Sequence, residues 1–454
     1  MSSFLGIRVS RKWLAVIVSA SSVLAVGKVA NFSARTLLAR ILPVSDFGIF
    51  NAAIALVSLV GTFSTLGMQQ GLVRYYPMAE NSGKSSVVQL VGMSLYRAII
   101  AVIISVLFLS IIQFFFQYPI INNIDLSFWY VTMLMVLGFT FVNLLSYLMM
   151  ARGYPRAYLA SLHCAPALLF LLGILILQWL DGVNLFSSIS LYSGVFLFVV
   201  ACLLFYNKEC WYGVVSREAK VDKSGFTRYS NIILGSTVAY VALTSVDRLM
   251  LGWFSNFDEV AYYSVAFTLA ALLPLAMIVV DAFLSPKISR GFANNDMELV
   301  TAAYHKANGG LFWIAVSMTF FILIFSEPLL SLFGDNYRSA ASLLAVLVIG
   351  ELFTLMMGTT GRMLQLGGLE RREALVVWLM LGINVGANVM LIPLYGAMGA
   401  AISTATTRVI HGSVKGFLVY RGFKIFPWGK GIMVYVKLLV LFIAIIELVM
   451  LVLR

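Results

Sequence analysis

The chain has 454 residues, 61% hydrophobic and 11% charged, with a mean hydropathy of +0.96 and a formal net charge of +12. A soluble domain carries about a quarter charged residues, so a water-soluble fold is excluded, and the long uncharged runs argue against a β-barrel of alternating ten-residue strands. In so apolar a chain the positive balance belongs to loops at a membrane surface, not to a nucleic-acid partner.

Arg8, Arg11 and Lys12 precede the first apolar segment. That segment is long enough to span and lacks a small-residue cleavage site, so it reads as a retained helix and not a signal peptide. Apolar segments are expected at 13–39, 47–68, 89–116, 127–150, 158–179, 187–206, 231–254, 260–284, 309–333, 340–361, 374–394, 398–419 and 431–453. Runs of this length are the signature of transmembrane helices. The fold class expected is an all-α polytopic membrane protein. With the N-terminus inside, the seven cytoplasmic segments hold 21 Lys and Arg residues, and the six short outer connections hold only Arg40 and Arg338. That asymmetry sets a cytoplasmic N-terminus.

Self-similarity runs through the chain. LLARILPVSDFGIFNAA (37–53) and MLGWFSNFDEVAYYSVA (250–266) each end one apolar segment and start the next, at an offset of 213. RYYP (74–77) and SPKIS (285–289) open the following loops, and LMMARGYPRA (148–157) matches LQLGGLERREA (364–374). Six spans per unit is an even number, so both units enter the membrane with the same orientation, as parallel repeats. The expected organisation is an N-lobe at 1–206, a cytoplasmic linker at 207–230, a C-lobe at 231–420 and a C-terminal segment at 421–454 with a thirteenth apolar helix. The two pseudo-symmetric six-helix lobes are expected to surround a central cavity.

Seven basic residues lie inside the spans (Lys28, Arg35, Arg97, Arg248, Arg408, Lys415, Lys437), against the acidic Asp247, Asp281, Glu351 and Glu447. A charge at the bilayer centre costs about 2.5–3.5 kcal/mol on insertion scales, so each needs a cavity or a partner. The basic excess favours an anionic ligand. Lys28, Asn31 and Arg35 fall within about 60° of one another on the first helix and form a polar stripe. Tyr240, Thr244 and Asp247 share a face of the seventh helix, with Arg248 about 100° away. Asp247 has three readings: a pair with Arg248, a cap for a break near Gly252, or a coupling carboxylate. Arg408, Lys415 and Arg97 are expected to reach toward the cytoplasmic interface. His163 and His411 read as packed side chains, and Cys164, Cys202 and Cys210 show no disulfide or metal spacing. There is no P-loop, no HExxH and no metal-ligand cluster, so neither a cofactor nor a metal is expected. Coupling to an ion gradient or to the substrate's own gradient follows, with Asp247, Asp281 and Glu351 as the carboxylates to test.

Three stretches carry a family resemblance: RTLLARILPVSDFGIFNAAIALVSLVGTFSTLGM (35–68); DRLMLGWFSNFDEVAYYSVAFTLAALL (247–273) with SPKISRGF (285–292); and LIPLYGAMGAAISTATTRVI (391–410). The chain resembles the polysaccharide transporter (Wzx-type flippase) branch of the MOP exporter superfamily. The resemblance implies two six-helix lobes around a cationic cavity. It implies transport of undecaprenyl-diphosphate-linked oligosaccharide across the bacterial cytoplasmic (inner) membrane for O-antigen, capsule or exopolysaccharide assembly, by alternating access and without catalysis. By position, Lys28, Asn31, Arg35 and Arg248 are expected to bind diphosphate and sugar, with Arg97 and Arg362 near the cytoplasmic mouth. Membrane lipids, and the polymerase and chain-length proteins of the same pathway, are the partners expected. The extra segment 431–453 departs from the usual twelve or fourteen spans of the family. A cation-coupled drug antiporter on the same fold is the alternative, although it calls for an acidic site. A membrane glycosyltransferase calls for a large outer loop, and the longest here is about ten residues (117–126).

Overall fold

A computed structural model describes residues 11–116, 126–208 and 222–427, and no strand occurs among them. The chain forms two compact units, Met1–Ser245 and Val246–Arg454. The first holds α1 (Arg11–Ile41), α2 (Val44–Ser64), α3 (Met68–Asn81), α4 (Lys84–Phe116), α5 (Leu126–Ala151), α6 (Pro155–Trp179) and α7 (Leu185–Tyr206). The division falls within α8 (Lys223–Phe254). The second continues with α9 (Phe257–Ala270), α10 (Leu275–Ala293), α11 (Met297–Ile324), α12 (Ala341–Met357), α13 (Thr360–Leu366) and α14 (Glu370–Phe423). A short helix, Ser326–Ser331, and a 3₁₀ turn, Asp335–Ala340, lie between α11 and α12.

Ten helices among the described residues are long and apolar enough to cross a membrane. Their ends follow local chemistry. Pro43 stands before α2, where its ring disfavours a helical residue ahead of it. Asn184 caps α7 through the Ser187 amide while the Ser187 hydroxyl accepts from the Asn184 amide, a reciprocal capping box. Asn256 caps α9 through the Glu259 amide. Between α2 and α3, Gly67 adopts φ +67, and a Cβ there would meet the Ser230 carbonyl of α8 at 2.1 Å. Only glycine meets both demands. Ala160–Cys164 is a single π-turn inside α6. Pro166 accounts for it, since it offers no amide hydrogen to the carbonyl four residues back and its ring forces that turn open. Gly27 of α1 packs on this turn, where a Cβ would lie 2.7 Å from the His163 carbonyl oxygen.

α14 is two helices joined at Gly396, whose φ of 55 and ψ of −133 break the helix. The two arms fold back on each other: Ser403 Oγ donates to the Asn384 carbonyl at 3.1 Å. A Cβ on Gly399 would come within 2.2 Å of the Leu391 carbonyl oxygen. The IPLYGAMGAA motif is thus a helical hairpin whose first glycine turns the chain and whose second lets the arms touch.

The helix ends repeat. Ile41 and Phe254 end equivalent helices, Val44 and Phe257 begin the next (α2 and α9), and Lys84 and Met297 begin α4 and α11, each pair 213 residues apart; between them α3 and α10 begin at Met68 and Leu275, 207 apart. Three expectations shift. The connection at 207–230 is partly helical, because α8 begins at Lys223, where Asp222 accepts from the Gly225 amide. The span expected at 309–333 is α11, which starts at Met297 because Asp296 caps it through the Leu299 amide. The thirteenth apolar helix, 431–453, lies outside the described residues.

Candidate functional site

In the first unit, the stripe on α1 is divided by its surroundings. Arg35 is half-buried and donates from Nη1 to Asn51 Oδ1 at 3.2 Å, while Asn51 is held in turn by its Nδ2 donating to the Phe47 carbonyl at 2.8 Å. The guanidinium also interacts electrostatically with Tyr192. The Tyr192 ring packs 4.3 Å from that of Phe170, which stacks on Phe50 at 6.0 Å. Among the described residues no carboxylate pairs with Arg35. Asn31 is half-buried and Lys28 exposed, so the stripe runs from a sheltered end at Arg35 to an open one at Lys28.

In the second unit, Asp247 is 1% exposed and fully engaged. Its Oδ2 accepts from Tyr263 Oη at 2.6 Å and Thr404 Oγ1 at 2.7 Å, and its Oδ1 accepts from Asn388 Nδ2 at 2.7 Å. Asn388 also donates to Asn384 Oδ1 at 3.2 Å. One carboxylate therefore ties α8 to α9 and to both arms of α14. Tyr240, on the same face of α8, is 62% exposed, so the expected Tyr240–Thr244–Asp247 stripe does not share one environment. Arg248 lies with its guanidinium 5.5 Å from the Phe267 ring centroid, and Arg408 shares that ring at 5.8 Å. Cations over an aromatic ring are held by its quadrupole.

Arg408 does not reach for the interface: it pairs with Glu351, which is 2% exposed. A buried carboxylate in an apolar helix needs such a partner more than a cytoplasmic-side arginine needs water. Lys415 likewise pairs across the hairpin with Glu373 at 3.0 Å. Asp281 and Arg362 stand 4.0 Å apart, and Arg362 also donates to Gln365 Oε1 at 3.3 Å. Asp281 Oδ1 has no hydrogen-bond partner. Arg97 of α4 donates to Thr227 Oγ1 of α8 at 2.6 Å and belongs to a groove described below.

The structure thus sets Arg35 and Arg248 at equivalent places in the repeat, 213 residues apart, a relation visible once the helix ends are aligned. The polar ring of Tyr263, Asn384, Asn388, Ser403 and Thr404 around Asp247 was missed. Its signal was available: five hydrogen-bonding side chains in helices otherwise made of aliphatic residues.

Two archaeal relatives are similar in sequence. An uncharacterized membrane protein of Methanocaldococcus jannaschii is 23% identical over 393 residues, 82% of this chain and 76% of its own length. A probable low-salt glycan biosynthesis flippase of Haloferax volcanii is 22% identical over 184 residues, 40% of this chain and 39% of its own. Among solved structures, the lipid II flippase MurJ in an inward closed conformation superposes with a TM-score of 0.70, at 15% identity, over 97% of this chain and 93% of that one. An inward-facing multidrug resistance transporter of the MATE family, of the MOP superfamily, gives 0.67 at 14% identity over 89% and 94%. The fold is that of MOP-superfamily transporters, and the chain is a multi-pass membrane protein. The polysaccharide biosynthesis protein family matches residues 14–292, well over half of the sequence, and the chain belongs to that family.

Proposed function

We propose that the protein flips a polyprenyl-diphosphate-linked oligosaccharide between membrane leaflets, with undecaprenyl as the carrier in a bacterial cytoplasmic membrane and O-antigen, capsule or exopolysaccharide units as cargo. One observation carries the reading: each repeat unit holds an arginine at the same position of an apolar helix, Arg35 bonded to Asn51 and Arg248 over the Phe267 ring. An arginine so placed is sheltered from water and presents a planar, permanently charged fork that suits phosphate oxygens. Lys28 and Asn31 extend the site from Arg35, and Arg362 and Arg97 serve substrate entering from the cytoplasmic side. Alternating access is the proposed mode of movement, with the N-terminus cytoplasmic and the pathway's polymerase and chain-length proteins as downstream partners. Family membership and similarity to the Haloferax glycan biosynthesis flippase and to the lipid II flippase MurJ support transport of a lipid-linked glycan.

Ion coupling rests on the carboxylates. Asp247 sits within a ring of oxygen-bearing neutral side chains, including Asn388 Oδ1, which has no hydrogen-bond partner. It is the first choice for a coupled proton or Na⁺. Asp281, with one free oxygen, is the second, and Glu351, already paired with Arg408, the third. Complementation tests the reading: in cells lacking the native transporter, Arg35→Ala and Arg248→Ala should each leave lipid-linked oligosaccharide in the inner leaflet. Export at the native level in both variants overturns it. The drug-antiporter alternative predicts instead that expression raises resistance to cationic compounds and that both arginine variants keep it.

A further inference from the structure

An open groove of about 830 Å³ lies in the first unit between α4 and the first turns of α8, lined by Arg97, Lys223, Ser224, Thr227, Arg228 and Asn231, with Ile232 at its edge. Three cations share it, and among the described residues no carboxylate lines it. Asp222, just before the groove, is engaged at one carboxylate oxygen by the Ser224 hydroxyl and the Gly225 amide, both at 2.9 Å. Arg97 is fixed by its 2.6 Å bond to Thr227, which in turn donates to the Lys223 carbonyl at 2.7 Å.

Depth in the membrane gives the groove its meaning. α4 and α8 have 33 and 32 residues, about 50 Å each at 1.5 Å per residue. The hydrocarbon core takes only about 20 residues of that. Counting back from the outer ends, in the orientation set by the basic loops, puts the inner edge of the hydrocarbon near Arg97 in α4 and near Leu234 in α8. Arg97 therefore stands at the inner edge of the hydrocarbon, with Arg228 and Lys223 on its aqueous side, about 9 and 16 Å beyond Leu234 along α8, so the groove runs from the inner-leaflet headgroups outward. Below them, Ile100, Ile104 and Phe108 continue the Arg97 face of α4 at helical spacing, and all three are exposed, as is Ile232. A phosphate site at headgroup depth that leads into an exposed apolar stripe matches the two ends of one lipid molecule.

We propose that this groove binds the phosphate headgroup of an inner-leaflet anionic lipid whose chains lie along Ile100, Ile104 and Phe108. The inference rests on the proposed orientation and deepens the flippase reading, since a lipid-borne phosphate comes from two sources, a resident phospholipid or the polyprenyl-diphosphate carrier. Native mass spectrometry of the full-length protein in detergent, titrated with phosphatidylglycerol and with phosphatidylcholine, tests it. Lys223→Gln/Arg228→Gln should weaken phosphatidylglycerol binding about tenfold, as expected on removing two charge-assisted contacts, and leave phosphatidylcholine binding unchanged. Both side chains are exposed, so the fold should hold. Each single variant should give part of the loss, and Arg97→Lys should bind more weakly than wild type but better than Arg97→Gln. Undecaprenyl diphosphate added as competitor identifies the source: displacement of phosphatidylglycerol from the wild type, but not from the double variant, assigns the groove to the carrier. Persistence of the bound phospholipid assigns it to a resident lipid. Equal phosphatidylglycerol affinity in wild type and double variant overturns the proposal. That result leaves leaflet translocation untouched, whereas a wild type that binds lipid through these residues but translocates no oligosaccharide removes the flippase reading alone.

Discussion

Positions 34 and 247 occupy the same place in the repeat, directly before Arg35 and Arg248, and each is 1% exposed. In the first unit the residue is alanine, and in the second it is an aspartate holding Tyr263, Asn388 and Thr404. The arginines that follow differ accordingly. Arg35 is steered by one amide, that of Asn51, whereas Arg248 shares the Phe267 ring with a second cation, Arg408, itself anchored by Glu351. Duplication preserved the helix ends and the cation, while the surroundings diverged. The first unit has a buried alanine beside an Arg35–Asn51 contact; the second carries a buried polar network that joins α8, α9 and both arms of α14. A conserved position with divergent neighbours suggests that the charge is the shared requirement, with the network an addition of the second unit.

The largest effect expected breaks the network. Asp247→Ala leaves three buried donors without their acceptor, at a cost of about 3 kcal/mol or more, read as a lowered Tm of the purified protein in detergent. The converse change, Ala34→Asp, buries a carboxylate at a 1% exposed position that lacks the Tyr263–Asn388–Thr404 network and should destabilise comparably. If Ala34→Asp is neutral, the two positions are not the different environments described. Asp247→Asn should lower Tm by less, because an amide oxygen still accepts, and should remove ion dependence of transport if the carboxylate is the coupling group.

A smaller loss is expected at the hairpin that supplies Asn388 and Thr404. Gly399→Ala drives a methyl into the Leu391 carbonyl and should cost about 1–3 kcal/mol, measured as Tm. Gly386→Ala, in the same helix with nothing within 4 Å of a new Cβ, should be neutral or slightly stabilising. Equal effects at both glycines would dissolve the hairpin explanation of the motif.

The smallest effect lies outside the membrane at the start of α8. The Gly225 amide, and then the Ser224 hydroxyl, hold the Asp222 carboxyl below its ordinary value. A depressed carboxyl stabilises the fold above its ordinary pKa, and that contribution disappears as pH falls through the depressed one. Asp222→Ala should therefore lower Tm slightly at neutral pH, and the difference from wild type should vanish in strong acid. A difference that persists in acid would show that the cap does not act through its charge.

The all-α membrane fold and the positions of most described helices were legible because apolar length and turn chemistry are local. Pro43, Asn184 and Asn256 end or start helices by what they donate, accept or forbid within four residues. Gly396 and Gly399 were readable as a motif for the same reason. The partners of Asp247 were not, because Asn388 and Thr404 are 141 and 157 residues away in the chain, and no local pattern says which span packs on which. Arg408 was misread as interfacial on the same ground: its distance from the cytoplasmic end is local, while its pairing with Glu351 is tertiary. The candidate cations were legible as charges set in hydrocarbon. What holds each one was not.

The central claim, that a repeated arginine in each unit handles a lipid-linked anionic glycan, is tested most directly in proteoliposomes. The purified protein is reconstituted with a fluorescent polyprenyl-diphosphate-linked oligosaccharide, and quenching by a membrane-impermeant reagent reports the exposed leaflet. Wild type should move the label between leaflets, and Arg35→Ala/Arg248→Ala should slow that movement by about tenfold or more, the loss expected for charge-assisted contacts, with Tm nearly unchanged. Movement at the wild-type rate in the double variant would contradict the account.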